Sequence, residues 1–260
     1  MLIPKQILAL GKIVAKYPGR YAMDAIRIER RDDQPRALAT DGHRGILFTW
    51  VEPDERDYPA IEGMSADRVA GFSANVGPRA LADAAKGTPG RGIKPILDFV
   101  LLDESDEKTI HLAATTLDRV VRAQALAHEG TFPPVEQVIP QPARERNVYD
   151  PARHGPLPFT HVRIAVDARL MAQTLIAMAS LTGEGDNSPV VLTVPTVPSQ
   201  AIRLDSRASD RRAIGVVMPV AMAGELEEQE PSPQPQTQPE AAPAGVGAVP
   251  PAEPSKALAA

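Results

Sequence analysis

The chain has 260 residues, of which 43% are apolar and 4% aromatic, and its formal net charge is −5. This length allows one or two domains, whose core is filled by aliphatic side chains and methionine rather than by aromatic rings. Cysteine is absent, which excludes a disulfide scaffold, a thiolate metal site and a cysteine nucleophile. The sequence has no apolar run near the ~18 residues of a membrane span and no uninterrupted apolar centre of a signal peptide. We therefore expect a cytoplasmic protein.

The acidic charge is concentrated in residues 225–260, which contain six glutamates, no aspartate and one lysine. The remainder has equal numbers of acidic and basic residues, so contact with nucleic acid would need a local basic face. Residues 225–260 are mostly Pro, Ala, Gln and Glu, which cannot bury enough apolar surface to fold, and we predict that they are disordered. Residues 141–160 contain four prolines without a clear period and are predicted to be a linker.

Three segments have the apolar spacing of helices, and each precedes a pair of short strands with alternating apolar residues. The helices are predicted at Pro4–Lys16, Gly77–Lys86 and Asp167–Ser180. The spacing from Ile28 to Leu38, from Leu102 to Leu112 and from Leu192 to Ile202 is the same in the three hairpins. A further strand follows each hairpin, at Gly45–Val51, Arg119–Ala127 and Ala213–Val220.

The chain therefore uses one unit three times, a helix followed by three strands. Short strands are predicted before the second helix, at Gly71–Val76, and before the third, at His161–Val166. Asn75 and Asp167 are candidates for the helix N-cap regions. The predicted class is α+β, with repeated units of one helix packed on a small antiparallel sheet. Because each element buries only one face, the units must pair or stack.

Five strings of residues, taken in chain order, carry a resemblance to a known family. They are the string Ala39-Thr40-Asp41-Gly42-His43-Arg44, then Asn75–Ala85, the stretch Gly130–Pro140 that contains Phe132-Pro133-Pro134-Val135, Val166–Leu170, and Val216-Val217-Met218-Pro219-Val220. Together they resemble the beta subunit of bacterial DNA polymerase III, the DNA sliding clamp. The resemblance covers most of residues 1–220 and implies a DNA-clamp fold in a truncated, divergent member.

The resemblance also implies a domain organisation. The family has three tandem domains, each of two helix-plus-sheet units, and two chains close a ring. In this chain residues 1–140 correspond to one complete clamp-like domain, 141–160 to a linker, 161–224 to half a clamp domain and 225–260 to a tail. The sequence departs from the family pattern at Gly45, Pro134, Val135 and Val220-Ala221.

In the family, a hydrophobic pocket receives short Gln/Leu/Phe peptides from polymerases and repair proteins. Its wall would be formed here by Thr40, Gly42, His43, Arg44, Pro133, Val138, Leu170, Val216, Met218, Pro219 and Val220. Met and Val would give an adaptable apolar surface, and Gly42 would allow the backbone to approach closely. Arg44 is expected to hold a peptide carbonyl or carboxylate. Taken singly, Val216–Val220 is more typical of a core edge strand and Thr40–Arg44 of a polar turn.

The family contacts DNA phosphates through basic residues on its helices. The corresponding residues are Lys5, Lys12, Lys16, Arg79 and Lys86. In an α-helix Lys5, Lys12 and Lys16 share one face, although a solvated amphipathic face explains them equally well. The third predicted helix contributes only Arg169.

The sequence contains no metal-ligand spacing of histidines, phosphate loop or nucleophile elbow, and we expect no enzyme activity, cofactor or metal. Two functional hypotheses remain. The first is a processivity factor or adaptor that tethers polymerase and repair factors at DNA. The second is a clamp-derived peptide-binding module that does not encircle DNA. The implied partners are double-stranded DNA bound without sequence preference, a DNA polymerase and other proteins with a clamp-binding motif, a clamp loader and further copies of the chain, but no membrane.

Overall fold

The structure is a computed structural model that describes residues 1–65, 69–88, 95–104, 106, 108–140, 164–183, 189–195 and 200–220. Its contacts divide the chain into a compact unit, Met1–Ala221, and a second unit, Met222–Ala260. The predicted linker at 141–160 and tail at 225–260 lie outside the described residues. Within the described ranges, no helix combines the length and apolar character that a membrane crossing requires.

Three helix-plus-strand units follow one another along the chain, as the sequence predicts, and the α+β class is confirmed. The first unit contains a 3₁₀ helix at Lys5–Lys12, β2 at Ile26–Arg31, β3 at Gln34–Thr40 and β4 at Arg44–Trp50. The second contains α1 at Pro78–Ala85, β6 at Phe99–Leu102, β7 at Thr109–Thr115 and β8 at Val120–Leu126. The third contains α2 at Ala168–Thr182, β9 at Val191–Thr193, β10 at Ile202–Arg207 and β11 at Arg211–Val217.

Two strands and three short helices are added to these units. β1 at Leu2–Pro4 pairs with β6, and β5 at Ser73–Val76 pairs with β2. Further 3₁₀ helices lie at Glu55–Asp57, Pro95–Asp98 and Val135–Val138. β5 confirms the strand predicted before the second helix, whereas β1 was not predicted.

The strands form two antiparallel sheets. One has four strands in the order β1-β6-β7-β8, and the other has seven in the order β5-β2-β3-β4-β11-β10-β9. The larger sheet joins the first and third units, because β4 pairs with β11 over seven residues, from Arg44 opposite Val217 to Trp50 opposite Arg211. This pairing brings the end of the third unit beside the β3–β4 turn of the first.

The equal spacing of the three predicted hairpins does not produce equal pairing. Leu112 faces Leu102, but Leu38 faces Arg27 and Leu192 faces Leu204. The turn chemistry explains the difference, since β2 and β3 are joined by only two residues, Asp32 and Asp33. Both have positive φ, 50° and 62°, as the tight type I′ hairpin requires.

Of the two predicted N-cap residues, one caps its helix and the other does not. Asp167 caps α2, because its carboxylate accepts hydrogen bonds from the backbone N–H groups of Arg169 and Leu170. The N-cap of α1 is Gly77, so the assignment of Asn75 to this cap is wrong. Asn75 lies in β5, where its buried side-chain amide donates to the carbonyls of His128 and Gly130.

Two further predictions need correction. The first helix is a 3₁₀ helix and is shorter than predicted at both ends, since Pro4 belongs to β1 and faces Phe99 of β6, and the helix ends at Lys12. Close packing also constrains it, since a Cβ on Gly11 would lie 3.3 Å from Pro78. Of the strand predicted at 161–166, residues 164–166 are described and form no strand.

The helices pack between the sheets in one apolar cluster. It contains Ile7 and Leu10 of the 3₁₀ helix, Leu81 and Ala84 of α1, and Ala177, Met178 and Leu181 of α2, together with inward residues of both sheets. α2 approaches β11 closely at Gly215, where a Cβ would lie 2.7 Å from the sulfur of Met178. Glycine at this position therefore sets how near α2 lies to the β4–β11 joint.

A buried ion network links the first and second units. Arg30 of β2 donates to Glu104 at 2.7 Å and to Glu52 at 2.9 Å, and all three side chains are almost fully buried. Burial opposes the charged form of Arg30, but its hydrogen bonds to Glu104 and Glu52 outweigh this effect and raise its pKa. Burial likewise opposes ionisation of Glu104, yet Arg30, the Met1 ammonium group and the Val69 N–H hold its pKa below the usual value.

Candidate functional site

The β3–β4 turn is held in shape by its own side chains. The Thr40 hydroxyl donates to the Arg44 carbonyl at 2.7 Å and accepts from the Gly42 N–H at 3.1 Å. The Asp41 carboxylate accepts from the N–H groups of His43 and Arg44. Gly42 has a φ of 89°, a conformation that glycine adopts without strain. The turn is therefore fixed before any partner binds.

Arg44 has a different role from the predicted one. Its side chain is 5% exposed, and its guanidinium donates to the Asp41 carboxylate at 3.0 Å. It also donates to the carbonyl of Lys12 at 2.9 Å and to that of Leu170 at 3.4 Å. The expectation that Arg44 holds a peptide carbonyl is thus corrected: Arg44 ties the turn to the 3₁₀ helix and to the first turn of α2.

The end of the third unit lies against the same turn. Beyond β11, the Met218 N–H donates to the His43 carbonyl at 2.8 Å. The Val220 N–H donates to the Ala165 carbonyl at 2.9 Å, just before α2. The sequence strings around Thr40–Arg44, Val166–Leu170 and Val216–Val220 are therefore brought together.

A partly apolar cavity of about 460 Å³ opens beside this junction. It is lined by Gln137, Val138, Ile139, Pro140, Gln200, Ala201 and Met218. Of the predicted pocket residues, only Val138 and Met218 line it. Val138 is half-exposed, and Met218 is partly buried.

The other predicted pocket residues fall into three groups. Thr40, Arg44 and Val216 are buried and not accessible to a ligand. Gly42, His43 and Val220 are exposed, and Leu170 and Pro219 are partly buried near the junction. Pro133 is not brought to the cavity, because it lines a separate cleft with Leu38 and Arg36 on the outer side of the large sheet.

Two departures from the family pattern are coupled in the structure. A Cβ on Gly45 would lie 3.0 Å from Cγ1 of Val135 and 3.5 Å from Cγ2 of Val216. The Val135 side chain, 5% exposed, therefore occupies space that a larger residue at position 45 would need. The sequence shows each departure, but only the three-dimensional packing shows that they belong together.

Residues that sequence reasoning missed hold the 131–140 segment on the sheet. Arg203 donates to the Pro140 carbonyl at 2.5 Å and pairs with Asp205 at 2.6 Å. Hydrogen bonds from Arg203 and Arg212 lower the pKa of Asp205 against the opposing effect of its burial. Glu136 of the segment pairs with Arg31 and Arg36. No motif marks Arg203, so only its alternation in a predicted strand could have drawn notice.

The predicted DNA-contacting residues do not form one helical face. A 3₁₀ helix turns about 120° per residue, so Lys5 and Lys12, seven residues apart, point in different directions. Lys5 also pairs with Asp98 at 3.2 Å, and Lys86 pairs with Asp83 at 2.6 Å. Lys12, Lys16, Arg79 and Arg169 are exposed. The shared face expected for Lys5, Lys12 and Lys16 is therefore wrong.

Among known proteins, the chain matches solved structures only. No protein-family model matches the chain, and no curated protein matches it. Among solved structures, the beta sliding clamp of C. crescentus has 17% identity and a TM-score of 0.38, covering 84% of this chain and 50% of that one. The chain is similar to bacterial sliding clamps.

Two other clamps agree with this match. The sliding clamp of Bartonella birtlesii, bound to griselimycin, has 15% identity and a TM-score of 0.41, covering 85% of this chain and 66% of that one. The clamp of Bacillus subtilis has 14% identity and a TM-score of 0.41, covering 85% of this chain and 64% of that one. The chain thus spans between half and two thirds of the length of these clamps.

Proposed function

We propose that this chain is a non-catalytic, sliding-clamp-like adaptor that holds partner proteins at DNA by capturing a short peptide. The observation that carries the proposal is the cavity between Val138 and Met218, which lies beside the junction of the β3–β4 turn with the end of the third unit. Three of the sequence strings that resemble the clamp family, around Thr40–Arg44, Val166–Leu170 and Val216–Val220, meet at this junction. Capture of a peptide at DNA makes and breaks no covalent bond, so the proposed activity needs no catalytic group.

The cavity suits a peptide with apolar side chains and few polar groups. Val138, Ile139, Pro140, Ala201 and Met218 supply apolar surface, and two glutamines supply amide donors and acceptors. Burying two or three apolar side chains contributes ~1.5–3 kcal/mol each before ordering costs. We therefore expect a dissociation constant on the order of micromolar. Met218 is the residue best placed to adapt to different peptides, since its side chain is unbranched and flexible.

Association with DNA is the second part of the proposal. Lys12, Lys16, Arg79 and Arg169 are exposed on or next to the helices, which suits weak contact with phosphates and no reading of bases. The alternative function is a peptide-binding module that does not encircle DNA. The pairing of Lys5 and Lys86 with carboxylates favours this alternative, because it weakens the basic surface.

The test is a titration of a labelled Gln/Leu/Phe-type clamp-binding peptide, followed by fluorescence anisotropy. Met218→Ala removes cavity wall without adding charge and should weaken binding about tenfold, a loss of ~1.4 kcal/mol. Met64→Ala is the matched control, since Met64 is also partly buried but lies in a loop away from the cavity. Binding absent at high micromolar peptide, or weakened equally by both substitutions, would refute the proposal.

A further inference from the structure

The outer face of the seven-stranded sheet carries a row of arginines that crosses several strands. Arg36 of β3 faces Thr49 of β4, and Thr49 also faces Arg212 of β11. Arg212 in turn faces Arg207 of β10. Phe48, next to Thr49 in β4, is buried in the core cluster that contains the helices. Because successive residues of a strand point to opposite faces, the arginine row lies on the face away from the helices.

A cavity of about 720 Å³ lies over this row, a size typical of small-molecule sites. The arginines that line it are Arg31, Arg36, Arg207, Arg211 and Arg212. The carboxylates that line it are Asp32, Glu136 and Asp210. Five arginines and three carboxylates give the lining a formal charge of +2. The cavity therefore favours an anion.

The lining carboxylates neutralise only some of these arginines. Glu136 pairs with both Arg31 and Arg36. Asp210 pairs with its neighbour Arg211 at 3.0 Å. The excess positive charge therefore lies on the outward side chains of β10 and β11.

Arg207 and Arg212 carry this excess charge. Arg212 is half-exposed and reaches Asp205 at 3.2 Å. Arg203 already binds the same carboxylate through two hydrogen bonds of 2.6 and 2.8 Å. Arg207 is exposed, and no carboxylate of the described residues pairs with it. Like charges directly opposite each other destabilise a sheet, so an anion between Arg207 and Arg212 would stabilise this part of the fold.

We propose that this cavity binds a small phosphate-bearing anion with at least two negative charges, of which a diphosphate is the simplest. Guanidinium groups bind phosphate oxygens in pairs, and neighbouring strands lie ~4.7–4.9 Å apart. Arg207 and Arg212 are therefore spaced to hold the two phosphate groups of one diphosphate. The Thr49 hydroxyl, which lies in the same row, supplies a further donor. A single carboxylate has one charge and two oxygens, which suits one arginine rather than two.

The anion site is separate from both parts of the proposed function. None of the residues proposed to contact DNA lines it, and it shares no lining residue with the cavity beside Met218. The inference therefore goes beyond the proposed function and does not depend on it.

Isothermal titration calorimetry of the full chain with inorganic pyrophosphate tests the site. Changing Arg207 and Arg212 together to Gln should weaken binding at least tenfold. The matched control changes Arg119 and Arg169 to Gln, which removes the same charge at exposed positions outside the cavity and should leave binding unchanged. No binding of wild type at about 5 mM pyrophosphate, or an equal loss in the control, overturns the proposal.

Thermal denaturation separates a binding role from a structural one. Without ligand, Arg207→Gln should be at least as stable as wild type, because it removes one of two facing positive charges. Pyrophosphate should raise the melting temperature of wild type and change that of Arg207→Gln much less. Equal stabilisation of the two proteins would contradict the assignment.

Two further ligands identify the source of the phosphate. A nucleoside diphosphate that binds more tightly than pyrophosphate, and still requires Arg207 and Arg212, indicates a nucleotide. Equal affinity indicates the free anion. A duplex oligonucleotide that requires these arginines, while pyrophosphate fails to compete with it, would overturn the small-anion proposal in favour of nucleic acid.

Discussion

The β3–β4 turn and the β7–β8 turn have almost the same local structure but different surroundings. The N–H of Asp41 donates to the carbonyl of Arg44 in the first, and that of Thr116 to the carbonyl of Arg119 in the second. Each is braced by the hydroxyl of the preceding threonine. Arg44 is buried and bonded to two other segments, whereas Arg119 is exposed.

The comparison shows that a repeated turn acquires its role from its neighbours. The third unit packs on the first, and Met218 and Leu170 reach the β3–β4 turn through hydrogen bonds. No described unit packs on β8 in the same way. One copy of the turn therefore lies beside the candidate site, while the other adjoins β8, which is an outer strand among the described residues.

The largest expected effect separates the two arginines. Arg44→Met removes the guanidinium that donates to Oδ2 of Asp41 and to two carbonyls, and it should lower the free energy of unfolding by about 3 kcal/mol. Arg119→Met changes an exposed side chain and should stay within ~0.5 kcal/mol of wild type. Urea denaturation measures both. Similar losses for the two variants would show that Arg44 does not tie the units together.

Acid should distinguish the buried network from the exposed pairs. The pKa of Glu104 is lowered in the folded state, so its contribution to stability is present above the unfolded-state pKa and is lost as the pH falls below about 4. The pKa of Asp205 is lowered too, but this residue is more exposed, with 27% of its side chain accessible. Denaturation between pH 3 and pH 7 should therefore show a flatter pH dependence for Glu104→Gln than for Asp205→Asn. The opposite order would contradict the network.

Substitutions at the residue with positive φ should change the stability of the protein less, and in opposite directions in the two turns. Gly42 and Leu117 occupy corresponding positions, with φ of 89° and 80°. Gly42→Ala should cost about 1–2 kcal/mol, because a Cβ strains this conformation. Leu117→Gly relieves the same strain and should be neutral or stabilising by up to ~1 kcal/mol. Thermal denaturation of both variants measures this contrast, and a stabilising Gly42→Ala would disprove it.

The last prediction concerns binding to DNA and expects the smallest change in folding stability. Changing Lys5, Lys12, Lys16, Arg79 and Lys86 to Glu should abolish weak retention on DNA while the fold stays intact. The structure sharpens this test: changing only the exposed Lys12, Lys16 and Arg79 should account for most of the loss, and Lys5→Glu for little. Filter binding across a salt series measures both. Unchanged retention, or a clear sequence preference, would contradict phosphate contact.

The sequence predicts the repeated units well because apolar alternation and helical spacing are local signals. It also predicts the cap Asp167 and the hairpin between Ile28 and Leu38, whose turn is Asp32-Asp33. It does not predict β1, since a three-residue strand has no pattern of its own and exists only because β6 is beside it. The hairpin registers differ for a similar reason, as turn length rather than apolar spacing sets the pairing.

The candidate site could be predicted only in part. The strings around Thr40–Arg44 and Val216–Val220 are local, and the structure brings them together. Three features depend on packing between distant segments and could not be predicted. Arg44 bonds to other segments, Pro133 lies in a separate cleft and not in the predicted pocket, and Val135 fills the space beside Gly45. Arg203 shows the same limit, because its carbonyl partner, Pro140, is remote in sequence.

Hydrogen–deuterium exchange with and without a clamp-binding peptide tests the central claim most directly. If the junction of the first and third units forms the binding site, the peptide should slow exchange at residues 137–139, 200–201 and 218, which line the cavity. The β7–β8 turn, residues 115–119, should exchange at the same rate in both samples. Unchanged exchange around the cavity at saturating peptide, or protection of 115–119 to the same degree, would contradict the account.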